Sequence, residues 1–211
     1  MKLYVINTGC PYCLKAEFVL EAKRAAYEKI VVPTEDRSLV QQISGQGKVP
    51  VLVDDSHVVS DSTAIARYLE ETIPEPALRP KQEDLAGLSD LLEDWSDEVF
   101  VGHVFDYAWE KYKPEDEGPP DHALMERTLR QIEADMEMLC AVLRQRPFLI
   151  AESPCAADAA IWACLKLVRD GKLLDMKAAW KPVSDWLDRM DQRVPVRLDL
   201  SYIEKHRRRS L

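Results

Sequence analysis

Lys2-Leu3-Tyr4-Val5-Ile6-Asn7-Thr8-Gly9-Cys10-Pro11-Tyr12-Cys13-Leu14-Lys15-Ala16 carries two different hydrophobic periods in fifteen residues. The alternating start predicts a strand over Lys2 to Asn7, and the run after it predicts a helix from Pro11 to about Ala26. Pro11 suits the first helical turn, where its missing N–H costs nothing. Cys10 therefore stands at a helix N-terminus, where unpaired N–H groups and the positive end of the helix dipole favour thiolate over thiol. Cys13, three residues on, shares its face and can reach a mixed disulfide formed on Cys10. The spacing thus casts Cys10 as nucleophile and Cys13 as resolving thiol.

Working outward, Lys29 to Val32 predicts a second strand ended by Pro33, and Arg37 to Ile43 a short helix. Two apolar runs flank Asp54-Asp55-Ser56, from Val49-Pro50-Val51-Leu52-Val53 to His57-Val58-Val59, and read as a hairpin. Ser60 and Asp61 are N-cap residues for a helix whose Ile65, Tyr68 and Leu69 form one apolar face. This alternation is that of an α/β unit over residues 1–75. Pro74, Pro76 and Pro80 mark a stiff linker, placed at 76–84, and everything beyond is helical.

Within residues 85–211, Leu85, Leu88, Leu92, Trp95 and Val99 step by threes and fours, and this stripe is expected to face the core. Met125, Leu129, Ile132, Met136, Leu139 and Leu143 repeat the pattern, and the Pro/Gly-rich segment 113–120 predicts that the two helices pack antiparallel. Ile161, Cys164, Leu165 and Val168 predict a central helix stopped near Gly171; Val183, Trp186, Leu187 and Met190 predict a last one. The fold class is α/β followed by all-α.

The chain has 211 residues, 46% of them hydrophobic, and a formal net charge of -9. The negative charge argues against nucleic acid and anionic membranes as partners. The basic tail Lys205, Arg207, Arg208 and Arg209 reads as a solvated terminus. A strand begins directly after Met1, leaving no room for a signal peptide, and no run approaches the roughly 18 apolar residues of a membrane span. A reducing cytoplasm is the expected compartment. The five cysteines make a poor disulfide framework, and the Cys10/Cys13 pair has no second pair at zinc-site spacing, so no metal is expected. Cys140 and Cys164 lie in apolar helical patterns and read as buried small hydrophobes.

These residues resemble the cytosolic glutathione transferase superfamily over essentially the whole chain. Cys10-Pro11-Tyr12-Cys13 is similar to the active-site tetrapeptide of glutaredoxins, Val49-Pro50 to a cis-proline element, and Ser60 to Leu69 to a glutathione-binding turn and helix. The resemblance implies a thioredoxin-like first domain and a helical-bundle second domain. It implies that Asp61 and Ser62 hold the γ-glutamyl end of glutathione and that Val49, before a cis Pro50, pairs with the tripeptide backbone. It implies too that Lys48 or Arg37 meets the glycyl carboxylate, while Pro11 and Tyr12 sit beside the bound thiol. Helix capping is an equally simple use of Asp61 and Ser62, and both uses can coexist. Phe148-Leu149 with Ala157-Asp158 resembles a capping element before the central helix. Cys155 stands there where Ser or Thr is usual, which weakens the cap.

A cysteine at the attacking position can itself bond to glutathione sulfur, which points to thiol transfer or disulfide reduction. The second substrate, a small or protein disulfide or an electrophile, would lie against the aromatic stretch Trp95, Phe100, His103, Phe105, Tyr107, Trp109 and Tyr112. In that stretch Trp95 and Val99 are expected to continue the core face and Phe100, Tyr107 and Trp109 to fall elsewhere. Conjugation of glutathione to electrophiles is the alternative enzyme reading, and a non-catalytic glutathione-binding protein is the third. The resemblance further implies a homodimer.

Overall fold

A computed structural model describes residues 1–6, 8–113 and 117–198. The basic tail lies outside them. Four strands, β1 (Lys2–Val5), β2 (Glu28–Val31), β3 (Val51–Asp54) and β4 (His57–Ser60), form one sheet in the order β2-β1-β3-β4. β1 pairs parallel with β2 and antiparallel with β3, and β3 forms the hairpin with β4 around Asp55-Ser56. The period of two separates the faces of β1. Leu3 and Val5 pack with α1 (Pro11–Ala22) and α3 (Ser62–Thr72), while Tyr4 packs with Val32, Val51 and Val40 of α2 (Ser38–Ser44). This is the thioredoxin-like arrangement, so Tyr4 is a core residue.

α1 ends four residues earlier than its pattern predicts. Arg24 takes a left-handed φ of 53°, its N–H bonds to the Glu21 carbonyl, and the Ala25 N–H bonds to that of Leu20. That is a Schellman stop with arginine where glycine is usual, so the usual letter is missing from the sequence. Lys23, 3% exposed, donates to the Ile73 and Pro76 carbonyls at 2.7 and 3.1 Å and pairs with Glu70. The proline-rich connection is thereby tied to α1, and both Val49-Pro50 and Glu75-Pro76 are cis.

The second half contains α4 (Glu83–Trp95), a π turn (Ser96–Phe100), α5 (Val101–Lys111), α6 (His122–Leu143), α7 (Ala156–Asp170) and α8 (Lys181–Asp191). Of the expected core stripe, Leu85, Leu92 and Trp95 pack half-buried against the core, and the structure corrects it at Leu88 and Val99. Leu88 and Val99 are 47% and 42% exposed, and the buried positions are Ala86, Ser89, Glu93, Ser96 and Phe100. Small and polar residues face inward because α4 packs closely on α7 and meets Lys15 of α1. α8 buries its predicted stripe, and α6 buries Ile132, Met136, Leu139 and Leu143 of its own, with Met125 and Leu129 half-buried.

α7 is central, buried from Ala157 to Val168, and rests against α1, where Phe18 meets Trp162 with ring centroids 5.0 Å apart. One hydrophobic core runs through both halves. Cys155 and Asp158 secure the start of α7 together as a reciprocal capping box, the Cys155 sulfur accepting from the backbone N–H of Asp158. The buried Asp158 carboxylate accepts from the backbone N–H groups of Leu149 and Cys155 and from Trp186 Nε1, each at 3.0 Å. Among the described residues no helix is long and apolar enough to cross a membrane.

Candidate active site

The sheet register brings four sequence-distant segments to one edge. The end of β1 stands beside the end of β2 through Val5 and Val31, and beside the start of β3 through Tyr4 and Val51. Val51 pairs in turn with Ser60 at the end of β4. The loop carrying Cys10, the segment leading to Arg37, the Val49-Pro50 step and the Ser60-Asp61 turn therefore open at the same end of the sheet.

Cys10 is the N-cap of α1, half-buried, and its sulfur accepts from the Cys13 N–H at 3.4 Å. The Cys10 thiol is held below its usual range of 9.0 by a hydrogen bond from the Cys13 side chain, against the opposing effect of burial. Backbone N–H groups of Cys13 and Tyr12 and the charge of Arg37 act in the same lowering direction. Cys13 is 2% exposed, and burial pushes its thiol well up. Two thiols one helical turn apart are thus driven in opposite directions, one toward the nucleophile and one toward the protonated reserve.

Pro11 is buried at the first turn of α1. The Tyr12 hydroxyl donates to the Asp97 carbonyl at 3.0 Å, and burial raises its titration to about 12, so it stays protonated. Arg37 is held by the Thr34 and Gly47 carbonyls, and Lys48, which follows Gly47, is exposed. Asp61 takes a φ of 83°, in the left-handed region that is costly for a residue with a Cβ. It caps α3 by accepting from the Thr63 and Ala64 N–H groups at 2.9 and 3.0 Å. Ser62, 2% exposed, is the first residue of that helix.

Behind this edge lies a buried ionic cluster that spacing did not single out. Lys15 of α1, 1% exposed, reaches Glu93 at 2.5 Å, Asp97 at 2.6 Å and Thr63 Oγ1 at 2.8 Å. Thr63 Oγ1 also donates to Glu93 at 3.0 Å. The cluster joins α1, the start of α3, α4 and the π turn. Lys15, a charged residue inside the apolar run Leu14 to Leu20, is its trace in the sequence. Glu17, a second charge in that run and outside the cluster, is 5% exposed and pairs with Lys29 of β2 at 2.8 Å.

The aromatic stretch divides differently from its spacing. Phe100 is fully buried and stacks on Trp95 at 5.2 Å, whereas Phe105 and Trp109 are exposed and Tyr107 and Tyr112 half-buried. The π turn causes this by shifting the helix face one residue. His103 Nδ1 pairs with Asp135 Oδ2 at 2.8 Å. Cys155 and Cys164 are buried with their thiols pushed up, that of Cys155 to about 12, which leaves them inert. Among the described residues no three His, Cys, Asp or Glu side chains are grouped to hold a metal ion.

Residues 5–77 match the family model of the glutathione S-transferase N-terminal domain. Glutaredoxin 2 of Escherichia coli K12 is 33% identical over 96 residues, which cover 45% of this chain and 41% of that protein. The matched stretch is less than half the length of each curated relative compared. A glutathione S-transferase from Methylobacillus flagellatus KT, solved with glutathione bound, superposes with a TM-score of 0.78 at 25% identity, covering 92% of this chain and 99% of that one. One from Rhodospirillum rubrum F11 gives 0.79 at 21% identity over 90% and 87%. Across both halves the described residues have the glutathione S-transferase fold.

Proposed function

We propose that this chain is a glutathione-dependent thiol transferase and disulfide oxidoreductase, with Cys10 as nucleophile and Cys13 as resolving thiol. The observation that carries the reading is the pairing of a stabilised Cys10 thiolate with a buried, protonated Cys13 whose N–H lies 3.4 Å from the Cys10 sulfur. The likeness to glutaredoxin 2 over the first half supports it.

The open sheet edge has the donors that glutathione requires. Asp61 supplies a carboxylate for the γ-glutamyl ammonium, and the N-terminus of α3 at Ser62 suits the neighbouring carboxylate. Val49 offers backbone groups to the tripeptide, and Arg37 or Lys48 a cation for the glycyl end. Pro11 and Tyr12 form the floor beside the sulfur. In the forward step the Cys10 thiolate attacks a substrate disulfide, one sulfur stays on Cys10 and the other leaves as a thiol. Glutathione then takes the bound sulfur and frees Cys10, or Cys13 displaces that sulfur and leaves a Cys10–Cys13 disulfide for glutathione to reduce.

The test is glutathione-dependent reduction of a small mixed disulfide by the wild type, Cys10→Ser and Cys13→Ser, beside a conjugation assay. The expected outcome is loss of reduction in Cys10→Ser by at least about a hundredfold, with Cys13→Ser reporting whether the second thiol is needed. Conjugation without reduction would replace the reading by that of a transferase, which the named activity of the structural relatives favours. Silence in both assays would leave a glutathione-binding protein.

A homodimer is proposed as well. Leu88, Leu91 and Val99, all over 40% exposed, lie along α4 and the π turn where a partner copy can cover them. Sedimentation should give a dimer for the wild type and a monomer for Leu91→Asp; a monomeric wild type would sink the idea.

A further inference from the structure

The resolving step needs a proton acceptor, because Cys13 is buried and its thiol is held protonated. A small crevice opens beside the two cysteines, and its lining includes Cys10, Cys13, Glu17, Lys29 and Arg197. Glu17 is the carboxylate in that crevice. It lies one turn beyond Cys13 on α1, a spacing that sets the two Cβ atoms about 5–6 Å apart on the same helix face. Lys29 of β2, 38% exposed, holds it at 2.8 Å and leaves the crevice open to solvent.

We propose that Glu17 accepts the proton of the Cys13 thiol when Cys13 attacks the mixed disulfide on Cys10. This rests on the reading of Cys10 and Cys13 given above. The Cys13 Sγ–H gives its proton to the Glu17 carboxylate. The Cys13 sulfur then bonds to the Cys10 sulfur as the bond from Cys10 to the substrate sulfur breaks. The electron pair of that bond leaves on the substrate sulfur, which takes a proton from solvent. Two glutathione thiols later reduce the Cys10–Cys13 disulfide and leave as glutathione disulfide.

Burial raises the Glu17 carboxyl above its ordinary range even against the Lys29 charge, which brings it closer to the pH at which it must exchange protons. The other charged groups around it are Glu21 one turn along α1, Cys10 at the helix start and Arg197 from the C-terminal segment.

The experiment follows 5,5′-dithiobis(2-nitrobenzoate) reacting with the native chain. Attack by Cys10 releases one thionitrobenzoate, and attack by Cys13 on the resulting mixed disulfide releases a second. Glu17→Gln should leave the first phase within about twofold of the wild type and slow the second at least about tenfold near neutral pH. Its second phase should climb only at alkaline pH, as the thiol ionises unaided. Lys29→Met keeps the carboxylate but removes the cation that favours its charged form, so its second phase should persist with the pH profile moved upward.

A purely electrostatic role has the opposite sign. The Glu17 charge raises the Cys13 thiol, so its removal would speed the second phase. A second phase in Glu17→Gln that is unchanged or faster therefore overturns the proposal, as does an identical loss with unaltered pH profiles in both variants. A single phase in the wild type, matching Cys13→Ser, would instead overturn the resolving role of Cys13 on which the proposal stands.

Discussion

Cys10 is where the local and the tertiary contributions to reactivity can be separated. Its place at a helix start is written in the order strand, Cys10, Pro11, and was legible without any structure. Folding favours its thiolate, so iodoacetamide alkylation of Cys10 is expected to titrate with a midpoint below 9.0. The same shift carries a sign for stability. A group whose folded pKa is depressed adds stability above its unfolded range and loses it as pH falls through the folded value. Wild type should accordingly gain on Cys10→Ser in urea denaturation as the pH is raised toward 9, and an unchanged difference across that range would refute it. Glu17 and Lys15 were not legible in this way, since a charged letter in a helix reads as a solvent face until the packing around it is known. Asp158 was legible as a local cap. That it also holds Trp186 of α8 depends on contacts 28 residues apart. Asp158→Ala strands three buried donors and should cost about 3 kcal/mol or more in the same denaturation assay.

Among the elements, α1 packs on α7 and α3 and is tied by Lys15, Lys23 and Glu17 to α4, the linker and β2. Its Lys15 balances one positive charge against the two carboxylates of Glu93 and Asp97, and burial raises the Asp97 carboxyl. Lys15→Met leaves that pair of acids facing each other without a cation and should destabilise by about 3–5 kcal/mol. Adding Glu93→Gln and Asp97→Asn should restore part of the loss, measured as a difference in urea midpoints; no recovery would mean that Lys15 acts through packing alone. The α/β order, the hairpin and the stripes of α6, α7 and α8 were readable because apolar side chains of the right period had a single apolar neighbour to meet. α4 followed this logic only in part. Leu85, Leu92 and Trp95 pack half-buried against the core while Leu88 faces out, and the fully buried places went to Ala86, Ser89 and Glu93 through close approach to α7 and through Lys15, neither of which is local.

At the scale of the molecule, the core that passes through Phe18 and Trp162 makes the two halves poor candidates for independent melting. Tryptophan fluorescence, dominated by the second half, and far-UV circular dichroism should report one coincident urea transition. Phe18→Ala should lower that midpoint by the equivalent of about 3–5 kcal/mol without splitting it. Two separated transitions in the wild type would show that the interface contributes less than its burial implies. The π turn over Ser96–Phe100, whose Ser96 carbonyl bonds to the Val101 N–H, bears on how such a chain can change over time. An extra residue absorbed inside a helix is a single-codon event. Losing one residue there would restore an uninterrupted spiral and rotate everything beyond it by about 100°. His103 would leave Asp135 and Tyr107 would turn from its half-buried place, while the two cysteines on α1 stayed where they are. A change of length in one short helical stretch can thus re-aim every side chain of the helix that follows and leave the start of α1 untouched.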